Sequence, residues 1–74
     1  MDLVLSAGGM AFGFEFKHSA VPAISKSMRI ATDDLGLRRV FVVYPGSETF
    51  PLDETGRFNA VAWRHLRSVR AKLT

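Results

Sequence analysis

No cysteine occurs in the 74 residues, so the fold has no disulfide to lean on. That absence fits a reducing compartment, and a cytoplasmic setting is expected. Long apolar runs are missing as well: none approaches the ~18–20 residues that cross a bilayer, and the start of the chain carries Asp2 and no basic cluster. Neither a membrane partner nor a signal peptide is expected. No His/Cys spacing suits zinc, and Gly8-Gly9 lacks the Gly-x-x-x-x-Gly-Lys pattern of a phosphate-binding loop. Internal repeats, linkers and low-complexity stretches are absent. Acidic residues are scarce, seven against ten Lys and Arg, for a net charge of +3.

What is present suffices for one small domain, residues 1–74. A chain this short buries only about 60% of its unfolded surface, near the lower limit for an independent core. The clearest local signal is Phe12-Gly13-Phe14-Glu15-Phe16-Lys17. Strict alternation marks a strand with three phenylalanines on one face and Glu15 and Lys17 on the other, beside Gly13. Leu3 to Ser6 reads as a preceding strand, and Gly8-Gly9 as a two-residue hairpin turn. Such a turn sets Ala7 opposite Met10, Leu5 opposite Phe12, Leu3 opposite Phe14 and Asp2 opposite Glu15. Two opposed carboxylates repel, so either Lys17 or a divalent cation is needed to compensate them. Hard cations such as Mg²⁺ take one or two carboxylates plus water, and can polarise a phosphodiester.

His18 to Pro22 forms a connector, after which the spacing predicts a helix from about Pro22 to Leu35. Ile24, Met28, Ala31 and Leu35 make its apolar stripe, Arg29 and Asp33 an i,i+4 pair, and Gly36 its stop. Arg39 to Tyr44 is a continuous β-branched and aromatic run of the kind buried in a parallel sheet. A right-handed crossover then places this strand parallel to the one carrying Glu15. The helix is expected to cover the phenylalanine row and to leave the carboxylate face open. Thr49 to Leu52 reads as a short edge strand, because Pro51 cannot donate to a ladder, and Asp53 to Gly56 as a turn. Phe58 to Val61 reads as another short strand, followed by a terminal amphipathic helix carrying Trp63, Leu66, Val69 or Arg70, and Leu73. Trp63 and Tyr44 are expected in the core. The fold class is α/β, an N-terminal hairpin followed by a βαβ unit, then short strands and a helix.

An Asp, a gap and then Glu-x-Lys on consecutive strands resembles the PD-(D/E)xK phosphodiesterase superfamily. Glu15-Phe16-Lys17, Ser27-Met28, Asp33-Asp34-Leu35-Gly36-Leu37, Val43-Tyr44-Pro45-Gly46 and Phe50-Pro51-Leu52 follow the order of one branch. That branch is the nuclease-like C-terminal domain, of unknown function, of predicted bacterial AAA-type ATPases. The resemblance runs from Asp2 to about Leu66. It implies a partial restriction-endonuclease-like core, truncated because the superfamily's first helix and first strand have no counterpart here. It implies Asp2 and Glu15 as Mg²⁺ ligands and Asp2, Glu15 and Lys17 as the catalytic set, with Lys17 acting on water or on developing charge.

Basic residues offer a second line of argument. Arg64, His65, Arg67, Arg70 and Lys72 crowd the last eleven residues, and Lys26 and Arg29 lie about one turn apart on the expected helix. Lys26, Arg29, Arg64, Arg67 and Arg70 are the candidates for nucleic-acid contact. A solvated helix face explains the same pattern. His18 follows Lys17 and is placed to touch phosphate, although a loop histidine is more often simply exposed. Two functions compete: a nuclease-fold domain that binds nucleic acid, with Mg²⁺-dependent hydrolysis as a separate further step, or a catalytically silent interaction module that docks to an ATPase or self-associates through its exposed sheet edge. An incomplete sheet also exposes edges, so a homo-oligomer is expected.

Overall fold

A computed structural model describes residues 1–73, with the side chain of Lys72 excepted. Five strands form one mixed sheet: β1 (Leu3–Ala7), β2 (Met10–Phe16), β3 (Arg39–Tyr44), β4 (Phe50–Pro51) and β5 (Phe58–Ala62), in the order β1-β2-β3-β5-β4. The hairpin has the expected register, Leu3 opposite Phe14, Leu5 opposite Phe12 and Ala7 opposite Met10. Gly8 and Gly9 make its turn at φ +58° and +78°, values that L side chains rarely adopt. β2, β3 and β5 run parallel, and the short β4 pairs antiparallel on the far edge. The architecture is α/β, with the hairpin and the βαβ unit where the sequence places them.

The single α-helix, α1, runs from Lys26 to Asp34. It starts later than Pro22 because Ser25 is the better cap: its Oγ accepts the Met28 N–H at 3.1 Å while its backbone stays extended. Met28 is buried, Ile24 and Ala31 are half-buried, and Leu35 is exposed. Leu37, beyond the glycine stop, fills the core position expected of Leu35. Thr32 is buried beside it, its hydroxyl donating to the Met28 carbonyl at 2.7 Å. Asp33 pairs with Arg57 at 3.2 Å rather than with Arg29, whose guanidinium lies over the Phe58 ring.

The helix packs on the opposite sheet face from the one expected. Met28, Leu37, Val40, Val42 and Phe58 form a cluster on the side of Gly13 and Glu15. Phe12 and Phe14 face the other way, against Phe41, Val43, Val61 and Val69. Strand parity separates these faces but does not say which of them the crossover passes over. Gly13 shows why this face accepts the chain: a Cβ there would sit 2.6 Å from Leu37 Cδ1 and 3.1 Å from Met1 Sδ. The missing side chain makes room for Leu37, the first core residue after the helix.

The phenylalanine row is covered instead by the C-terminal helix, Trp63–Leu73, which is wound as a 3₁₀ helix. Coverage stops short of the hairpin edge. An apolar groove of about 510 Å³ runs between Leu3, Leu5 and Phe16 on the sheet and Leu66, Val69 and Leu73 on the helix, with Arg67 and Arg70 also lining it. On the other face, Arg57 at the entry to β5 reaches the turn after α1, donating to the Leu37 carbonyl at 2.8 and 3.1 Å.

Candidate nucleic-acid and metal site

Glu15 lies one residue before the end of β2, half-buried, with its carboxylate on the α1 face. Lys17 follows on the same side, its Nζ 3.4 Å from Glu15 Oε2. The Met1 ammonium approaches the other oxygen, Oε1, at 4.0 Å. Glu15 is thus bracketed by two cations, so part of its charge is compensated within the chain.

Asp2 is not opposite Glu15 in the ladder. Strand β1 begins only at Leu3, and the Asp2 N–H goes to the carbonyl of Phe14, the residue already paired with Leu3. The Asp2 carboxylate accepts the Phe16 N–H at 2.8 Å. A side chain here stands in for a missing strand residue, satisfying a donor that β1 is too short to reach. The consequence is mixed: Asp2 comes to the same end of β2 as Glu15 and Lys17, but along the plane of the sheet rather than on Glu15's face.

Mg²⁺ chemistry suits these donors in kind. The residues that would hold it are Asp2 and Glu15, whose carboxylate oxygens are hard ligands. Among the described residues no group of three or more His, Cys, Asp or Glu side chains is placed to share an ion.

The expected nucleic-acid residues divide between two layers. Lys26 and Arg29 are exposed on α1, over the Glu15 face, whereas Arg64, Arg67 and Arg70 are exposed on the 3₁₀ helix, over the phenylalanine face. The Lys72 side chain lies outside the described residues. His65 serves the fold instead. Its Nδ1 is 2.8 Å from Thr49 Oγ1, and that hydroxyl accepts the Ala62 N–H. Tyr44 is buried as expected, its hydroxyl donating to the Glu48 carbonyl at 2.6 Å.

Sequence reasoning missed one feature. Trp63, assigned to the core, is 64% exposed. It stands just past the C-terminal ends of β2, β3 and β5, beside a cleft of about 390 Å³ lined also by Lys17, His18, Tyr44 and Pro45. In open α/β sheets this is the side where ligands collect. The signal available in the sequence was position: Trp63 directly follows a strand that ends buried, and sits among basic residues.

No family model matches the sequence, and no solved structure matches it. Over 55 residues, 74% of the chain, it is 47% identical to uncharacterized protein Rv2008c of Mycobacterium tuberculosis, and equally to uncharacterized protein Mb2031c of Mycobacterium bovis. The matched stretch is 12% of each of those proteins. The chain therefore corresponds to a small part of the curated relatives it matches. No helix among the described residues is long and apolar enough to cross a membrane.

Proposed function

We propose that this chain is a nuclease-fold module that binds, and with a divalent metal hydrolyses, nucleic-acid phosphodiesters. The reading follows its likeness to the PD-(D/E)xK C-terminal domains of predicted AAA-type ATPases. The observation that supports it most is that Asp2, Glu15 and Lys17 lie at the same end of β2: Lys17 pairs with Glu15 at 3.4 Å, and the Asp2 carboxylate accepts the Phe16 N–H at 2.8 Å in the plane of the sheet. When bound, Mg²⁺ would polarise the phosphodiester and activate water. In this scheme Asp2 and Glu15 supply hard oxygen donors, and the Lys17 ammonium, no longer shared with Glu15, stabilises charge developing on the phosphate. The length of the relatives supports the idea of a module within a longer protein, and an ATPase is the partner this reading assigns.

Thermal melting with and without Mg²⁺ or Mn²⁺ tests it, because a ligand that prefers the native state raises the melting temperature by mass action. Wild type is expected to gain stability on adding metal. Glu15→Gln and Asp2→Asn are expected to lose that gain along with phosphodiesterase activity, and Lys17→Ala to keep the gain and lose activity. Identical curves with and without metal would remove the metal-dependent nuclease reading.

A second reading, a catalytically silent interaction module, is favoured by the hairpin edge. β1 has a neighbour on one side only and is uncharged along its length. Leu3, Val4 and Leu5 are each more than two-fifths exposed.

A further inference from the structure

Trp63 is the only tryptophan in the chain, and two clefts meet at it. One holds Lys17 and His18; the other, about 610 Å³, is lined by Pro45, Gly46, Ser47, Trp63 and Arg64. The indole thus has room beside it and a cationic side chain in each direction. The indole therefore presents a flat aromatic face to solvent, the kind of surface on which a base stacks.

The helix that begins with Trp63 supplies the second observation. A 3₁₀ helix repeats every three residues and rises about 2.0 Å per residue, so Arg64, Arg67 and Arg70 stand in one column at intervals of about 6 Å. Among the described residues, no carboxylate lies within ion-pair distance of any of the three. Aligned like charges without partners destabilise the segment that carries them. A polyanion running along the column removes that repulsion.

We propose that Trp63 is a stacking platform for an unpaired nucleobase, and that the Arg64, Arg67 and Arg70 column carries the sugar-phosphate strand leading from it. The preferred ligand of this face is single-stranded nucleic acid. The proposal rests on the nucleic-acid reading above, and adds strandedness and the residue that touches the base. A base within a duplex has both faces covered by its neighbours, so a duplex offers phosphates to the arginines and nothing to the indole. His18 and Arg64 flank the platform from its two clefts, positioned for the phosphates on either side of the stacked base.

Because Trp63 is alone, its own emission reports the contact. The 74-residue chain is titrated in EDTA, at low salt, with labelled oligothymidylate and separately with a labelled duplex, following tryptophan emission and label anisotropy together. Oligothymidylate is expected to quench the emission saturably. Trp63→Ala should weaken its binding about tenfold or more while leaving weak duplex binding unchanged, and Trp63→Phe should restore most of the loss. Circular dichroism of Trp63→Ala should match wild type, since the side chain is mainly in solvent. Oligonucleotide binding that leaves the emission unchanged, and that Trp63→Ala does not weaken, overturns the platform while the nucleic-acid reading stands. Failure to bind either ligand removes both. Emission that shifts with protein concentration alone, and is indifferent to oligonucleotide, assigns the indole to a protein contact and overturns the proposal.

Discussion

Asp2 shows how one residue can answer to two demands. As a potential ligand it belongs with Glu15, yet its carboxylate is engaged by the Phe16 N–H at 2.8 Å. Its contribution to folding can be separated from any contribution to chemistry. An amide oxygen still accepts a hydrogen bond and a methyl group does not. Asp2→Ala is therefore expected to lower stability by about 1 kcal/mol, the usual worth of one hydrogen bond, and Asp2→Asn by less. Urea denaturation of the two variants without metal measures this, and equal losses would show that the bond to Phe16 contributes nothing. Charge at Glu15 has a similar double character. Its pairing with Lys17 and the Met1 ammonium was legible in part, since strand parity already set Glu15 and Lys17 on one face. The slip at Asp2 was not, because it depends on where β1 stops pairing and not on any alternation in the residues.

At the scale of elements, the hairpin register was readable because two consecutive glycines leave one economical turn and every later pairing follows from it. The strand Arg39–Tyr44 was readable from its unbroken apolar run. The face that α1 covers was not: an apolar stripe says that a helix packs, while the path of the crossover and the gap at Gly13 decide against what. Met28 nevertheless carries the weight the stripe assigned to it, being almost fully buried between Leu37 and the strands. Met28→Asp would place an unpaired charge there and is expected to unfold the domain, a cost of several kcal/mol against a stability that in small domains is hardly larger. Ser25→Ala, which removes only the cap, should cost about 1 kcal/mol. Thermal melts distinguish the two: a Met28→Asp variant as stable as Ser25→Ala would contradict the packing. The exposure of Trp63 escaped sequence reasoning because its spacing aligns it with Leu66 and Val69, and only its place as the first residue of the helix, past the ends of the strands, leaves it outside the core.

For the whole molecule, the two sheet edges differ in how they are protected. β4 contributes two residues, one of them Pro51, which has no N–H to offer. β1 contributes five, without charge or proline. Self-association is accordingly expected through β1, rising with concentration in sedimentation, and Val4→Lys should abolish it by placing a charge on that edge. A monomer at every concentration would show that the edge is tolerated in water. Arg57 carries a consequence of a different kind. Its guanidinium donates to the Leu37 carbonyl, its side chain pairs with Asp33, and its own carbonyl accepts the Val40 N–H at 2.7 Å. One side chain thereby joins the turn that leaves α1 to the loop that enters β5. These two segments, some twenty residues apart in sequence, should open as one cooperative unit in native-state hydrogen exchange, with the Leu37 and Phe58 amides sharing a common free energy of opening. In Arg57→Met they are expected to separate, the loop exchanging first.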